Sequence, residues 1–289
     1  MALPRLDNWS ETSFGLHRGA LLLGALQRLT QPPQPAYLEL GLQVVPNGLA
    51  GGRLPAGGLV LLDFNAGSLL YSPASGAEVS FPLHGSSQAQ VFAGLFGVIS
   101  QGELSGLLPD GSNLAQRVSA AIAARGDRYR PPRPETLWDE TRIKLDAQTA
   151  RAYLEVLQLV FTAIARFRAR LRGMLTPLVV WPEHFDLSTL WFQGNSIDES
   201  QAHLNFGFAP FSEGLPDPYL YAYAYPYPQR YDPPSLPHGA RWHTHGWTGA
   251  VLPYDAIAAQ SDPPAFVEDA CQAIYGGLLA LLPTSGQAP

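Results

Sequence analysis

A single cysteine, Cys271, stands in 289 residues. No intrachain disulfide can form, and a multi-cysteine zinc or iron–sulfur site within one chain is excluded. Such sparing use of cysteine fits a reducing compartment. Lysine is equally scarce, for among 18 lysines and arginines only Lys144 is a lysine. It lies in the charged stretch 139–146, where a solvated side chain is expected rather than the desolvated amine of Schiff-base chemistry. A Gly-Lys-Ser/Thr triplet is absent, and Gly24, Gly48, Gly51 and Gly52 do not make a dinucleotide fingerprint. Charged residues form 15% of the chain, against about 25% in typical domains. The net charge of −6 provides no basic field for a phosphate backbone, so nucleic acid is not an expected partner. No apolar run approaches the roughly 20 residues that cross a bilayer, and Asp7 and Glu11 stand where a secretory signal wants a basic leader. A cytoplasmic protein without membrane or nucleic-acid partners is the expectation.

What is abundant is apolar surface, 46% of residues. Residues 11–29 read as an amphipathic helix ended by Pro32-Pro33. Short apolar runs follow at Tyr37–Val45, Leu59–Phe64, Ser68–Ser72 and Glu78–Leu83, separated by turn signals at Asn47-Gly48, Ala66-Gly67 and Ser75-Gly76, the pattern of antiparallel strands. Ser86 or Ser87 can cap a helix reaching Ser100. Residues 102–146 are rich in glycine and proline and leave room for a short helix at Ser112–Ala124. The strongest helical pattern spans 147–172, with Arg166, Arg168, Arg170 and Arg172 at the end, where the helix dipole favours cations. Strands are read at Leu178–Trp181, Leu187–Phe192, His203–Phe208, Tyr219–Tyr225 and Arg241–Leu252. A last helix opens with Asp262 as N-cap and Pro263 behind it. The fold expected is α+β, mostly antiparallel sheet covered by a long central helix and terminal helices. One compact unit over 1–289 is expected, with helix-sheet-helix halves at 1–101 and 147–289 joined by 102–146.

Three constellations could carry chemistry. His243-Thr244-His245, if extended, sends both imidazoles to one face. With a third ligand from His238, Asp255, Glu183 or His184, the pair could hold a divalent transition metal; an exposed pair on an edge strand is the alternative. Glu183, His184 and Asp186 bring carboxylates beside an imidazole, the minimum for general acid–base catalysis, although turn chemistry accounts for them equally well. Asp186 also reads as a buried anchor needing a partner such as Arg168. Tyr219, Tyr221, Tyr223, Tyr225 and Tyr227 fall on one face of a strand, opposite Leu220, Ala222 and Ala224. Such a row of hydroxyl-tipped rings could line a pocket or simply form a core face. His17, inside the first helix, reads as a hydrogen-bonded core residue, and Cys271 as an inert buried thiol.

The spacings resemble an uncharacterised bacterial family, domain of unknown function 5996. The matching residues are Trp9, Thr12, Leu16 and His17; Gly48-Leu49, Pro55 and Asp63-Phe64; Phe167-Arg168, Gly173 and Pro177; Phe185-Asp186-Leu187, Phe192 and Gly194; Gly207-Phe208; Tyr221 through Pro226; and Leu252 through Ala256. The resemblance spans nearly the whole chain and implies no activity. Three functions stay open at this point. The first is small-molecule binding, with or without an enzymatic step, by Arg168, Asp186, Tyr221, Tyr223, Tyr225 and Tyr254. The second is a metal-dependent enzyme using His243 and His245. The third is a non-catalytic partner-binding or oligomer-forming protein using the Pro131–Pro134 and Tyr225–Pro237 loops.

Overall fold

Short apolar strands broken by glycine turns favour hairpins, and long amphipathic stretches favour helices that cover one side of the resulting sheets. In a computed structural model, which describes residues 3–7, 9–126, 138–227, 235–236 and 238–282, these elements form an α+β fold with two antiparallel sheets. The described residues cluster into two compact units, one drawn from 6–154 and 180–185, the other from the N-terminal residues to Arg5, 155–179 and the chain from Asp186 onward.

The first unit holds helix α1 (Trp9–Thr30), strands β1 (Gln43–Val45), β2 (Gly48–Ala50), β3 (Leu59–Asp63), β4 (Ser68–Ser72) and β5 (Val79–Pro82), and helices α2 (Gln88–Ile99) and α3 (Leu114–Ala123). The strands form a meander in sequence order. Gly19 lets α1 approach β3, since a Cβ there would lie 2.7 Å from the Leu62 side chain. Ser87 caps α2 through a reciprocal capping box with Gln90. The strand expected from Tyr37 begins only at Gln43. Residues Pro35–Leu40 instead make a 3-10 segment with Ala36 and Tyr37 at positive φ. Glu39 holds it there: its carboxylate accepts from the Gln34 N–H at 3.0 Å, and its carbonyl accepts from the Gln27 amide at 3.0 Å.

The long helix α4 (Ala147–Arg168) begins in the first unit and ends in the second. Strands β6 (Met174–Leu175), β7 (Val179–Trp181), β8 (Asp186–Phe192), β9 (His203–Ala209), β10 (Tyr219–Tyr225), β11 (Arg241–His243) and β12 (Gly249–Pro253) follow, then helices α5 (Tyr254–Ala258) and α6 (Pro263–Leu279). The larger sheet runs β11-β12-β10-β9-β8-β6 along its main path. One face carries Leu220, Ala222, Ala224, Leu204, Phe206 and Phe208, all buried. Phe167 of α4 meets Phe206 at 4.8 Å, and Tyr275 of α6 meets Trp191 edge-on at 5.7 Å. The small Ala222 and Ala224 make room for that helical cover.

α4 stops at Arg168, four residues before the arginine-rich pattern ends. Arg168 Nε donates to the Thr176 carbonyl at 2.9 Å, and Arg170 pairs with Glu268 of α6. These arginines therefore fix the strand and helix beyond the helix end. Asp262 caps α6 by accepting from the Ala265 N–H.

Candidate functional site

Strand periodicity of two places Tyr219, Tyr221, Tyr223 and Tyr225 on the face of β10 opposite the helices. The register sets Tyr221 beside Gly207, Tyr223 beside Asn205 and Tyr225 beside His203 on β9. On β8, Ser188 pairs with Gly207 and Leu190 with Asn205. Glycine at 207 is required by the tyrosine next to it, because a Cβ there would sit 2.5 Å from both Cζ and the hydroxyl oxygen of Tyr221. The Tyr221 ring lies across the glycine and donates its hydroxyl to the Asp186 carboxylate. Burial, and then the nearby Asp186 charge, push this phenol well above its usual pKa, so it stays a protonated donor.

The remaining rings fan outward from this pair. Tyr219 donates to the Ser212 hydroxyl at 2.8 Å. Tyr221 and Tyr223 lie almost parallel, with centroids 6.2 Å apart. Trp247 sets its ring at 73° to Tyr221 and at 63° to Tyr223. Gly249 makes this possible, since a Cβ there would meet the Trp247 ring at 2.5 Å. Asn205 donates from Nδ2 to the Tyr223 hydroxyl oxygen at 2.9 Å. Its Oδ1 is buried with no hydrogen-bond partner among the described residues, although the residue is only 7% exposed. His203 stacks on Tyr225 at 5.0 Å, and its Nδ1 meets the Gln201 carbonyl at 2.8 Å. Burial lowers the His203 pKa, which keeps the ring neutral and makes Nδ1–H the donor. Exposure climbs along the row from 4% at Tyr219 and 7% at Tyr221 to 37% at Tyr225 and 44% at Tyr227. The face is closed at its Tyr219 end and open at its Tyr227 end.

The other sequence candidates take separate places. Arg168 does not meet Asp186, being bonded to Thr176, whose carbonyl also accepts from Thr189 on the helix-covered side of β8. The partner of Asp186 is Tyr221. Tyr254 donates to the Pro4 carbonyl at 2.6 Å and holds the N-terminal segment rather than joining the tyrosine row. Glu183 forms an ion pair with Arg28, and His184 is exposed. Glu183 is thus engaged by Arg28, whereas Asp186 accepts from Tyr221. His17 Nε2 lies 3.0 Å from both the Pro182 and the Glu183 carbonyls. Burial lowers its pKa to about 4, so the ring is a neutral structural donor.

The histidine pair also departs from expectation. The strand read as Arg241–Leu252 is a hairpin, β11 and β12, turned through Gly246 at φ 77°. His243 ends β11 and His245 lies in the turn, where the His245 carbonyl, not its ring, meets His243 Nε2 at 2.6 Å. The two imidazoles do not share a strand face. Among the described residues, no three His, Cys, Asp or Glu side chains are grouped to hold a metal ion. The Pro131–Pro134 loop lies outside the described residues, as does most of Tyr225–Pro237 beyond Tyr227.

Sequence reasoning passed over Asn205, Trp247 and His203. The signal was there: His203, Asn205 and Gly207 occupy alternate positions of a strand otherwise made of Leu204, Phe206 and Phe208. A polar row beside an apolar row on one strand marks two different faces.

The model of the family of unknown function DUF5996 matches residues 2–280, and the chain belongs to that family. No curated protein and no solved structure matches it.

Proposed function

We propose that the open end of the tyrosine face, around Asn205, Tyr223 and Trp247, binds a small molecule. The observation that carries this reading is Asn205. A buried polar atom left without a partner costs about 1–3 kcal/mol, and the neighbouring position across the β8–β9 ladder is filled by Leu190. A strand needing only packing would be served better by leucine at 205 as well. The half-buried Tyr223, which that amide bonds, stands against Trp247 and the exposed Tyr227. Aromatic walls with a few convergent polar groups are the usual lining of small-molecule sites.

The charge of −6 and the fully buried Cys271, whose thiol burial pushes up, support a cytoplasmic protein that does not bind nucleic acid. Among the described residues no helix is long and apolar enough to cross a membrane. The binding reading is tested by thermal denaturation of the purified protein against a broad metabolite panel. A ligand held only by the folded state raises the midpoint, by an amount that grows with its concentration. The reading predicts a rise for at least one compound that disappears in Asn205→Leu; a panel with no rise contradicts it.

A further inference from the structure

The rings at the open end are not parallel plates. Trp247 stands at 63° to Tyr223, and Tyr227 at 47° to Tyr223 with centroids 5.7 Å apart. Walls inclined in this way offer ring faces to a rounded group rather than a slot to a flat one. Ring faces carry negative potential and attract cations. The charges around them are mostly carboxylates, with Arg241 on the edge strand as the exception. Asp186 lies behind Tyr221, and Asp198 and Glu199 lie on the turn leading into β9. Tyr223 registers this field: burial first, then the neighbouring Tyr227, Asp186 and Glu199, raise its phenol to about 12. On the strands of this face Arg241, exposed on edge strand β11, is the cationic side chain among the described residues. His203 is held neutral, and His243 is engaged by the His245 carbonyl. Asn205 Oδ1, buried and without a partner among the described residues, is an acceptor.

Building on the reading of this face as a small-molecule site, we infer that its ligand is an organic ammonium ion that keeps an N–H. The alkyl groups on nitrogen lie against Tyr223, Tyr227 and Trp247, the N–H donates to Asn205 Oδ1, and Glu199 supplies long-range attraction. An anion would meet carboxylates and ring faces, and a neutral ligand would gain contact with the rings but no attraction from the charges.

The test is titration with trimethylammonium, tetramethylammonium, tert-butanol and pivalate, followed by tryptophan fluorescence and ligand-observed NMR. Trimethylammonium binds tightest, and tert-butanol and pivalate at least about tenfold more weakly. Asn205→Leu weakens trimethylammonium about tenfold and leaves tetramethylammonium, which has no N–H to donate, unchanged. Glu199→Gln, at an exposed position where folding is not at stake, weakens both cations about threefold at low salt and leaves tert-butanol unchanged. Equal or tighter binding of tert-butanol or pivalate would overturn the ammonium assignment and leave the small-molecule reading standing. The same holds if neither cation binds while some other metabolite raises the thermal midpoint in an Asn205-dependent way. If no compound of either panel binds, both fall.

Discussion

Each sheet buries a tyrosine beside a carboxylate, and the two pairs are finished differently. In the five-stranded sheet, Glu103 accepts from the Tyr71 hydroxyl at 3.0 Å, the Gly58 N–H at 2.9 Å and the Ala56 N–H at 2.7 Å. Gly58 has no room for a side chain, because the Glu103 carboxylate occupies the place of its Cβ. Every donor at that node meets its acceptor, and the result is a locked turn between β2 and β3. In the seven-stranded sheet, the Tyr221–Asp186 pair is followed on the same face by Tyr223 and Asn205, where one acceptor is left over. A polar cluster completed by the chain's own backbone is a structural device. One that leaves a buried acceptor over at the open end of an aromatic row is the ground of the binding proposal.

Substitutions can break this contrast at several points. Glu103→Ala strands two backbone N–H groups and a phenol, and should lower stability by about 3–4 kcal/mol. Urea unfolding measures this, and a loss below about 1 kcal/mol would show that the node is not locked.

His17 provides a pH test of the same unit. Its folded pKa of about 4 lies below the ordinary histidine value of 6.5, so the unfolded chain takes up the proton first as pH falls. Its contribution is therefore present above pH 6.5 and is lost as pH drops toward 4, by about 2–3 kcal/mol in all. Stability of His17→Gln measured at pH 7, 5.5 and 4.5 should lack that component of the decline; an unchanged slope contradicts the assignment.

On the tyrosine face, Gly207→Ala drives a methyl into Tyr221 and the Leu187 carbonyl, each 2.5 Å from the new Cβ. Displacing the ring should cost about 2 kcal/mol and alter the near-ultraviolet circular dichroism of the aromatic row. A neutral result with an unaltered spectrum would mean the ring does not lie across this glycine. Smaller still is Tyr221→Phe, which removes the donor to Asp186 while keeping the ring, for about 1–2 kcal/mol. A stabilised variant would mean that Asp186 does not depend on the phenol.

Much of the scaffold is legible in the sequence. Strand β10 falls where the tyrosine alternation puts it, and Ser87 and Asp262 cap their helices as their positions predict. The candidate site was read less well, because its contacts are set by register. Asp186 meets Tyr221 across an intervening strand, 35 positions away in sequence, whereas Arg168 looked like its partner on charge alone. The histidine motif failed for a local reason: Gly246, a turn residue with positive φ, was read through as strand. Asn205 was hidden by its apolar neighbours, and only strand pairing reveals which tyrosine it faces.

The stability of Asn205→Leu without ligand, measured by urea unfolding beside the natural chain, bears most directly on the difference between the two polar clusters. If the amide is kept for an outside partner, the loss of its bond to Tyr223 and the removal of the orphan acceptor offset each other, and the variant stays within about 1 kcal/mol of the natural chain. A loss of more than about 1 kcal/mol would make Asn205 a structural residue like Glu103 and remove the ground for a site at the open end of the tyrosine row.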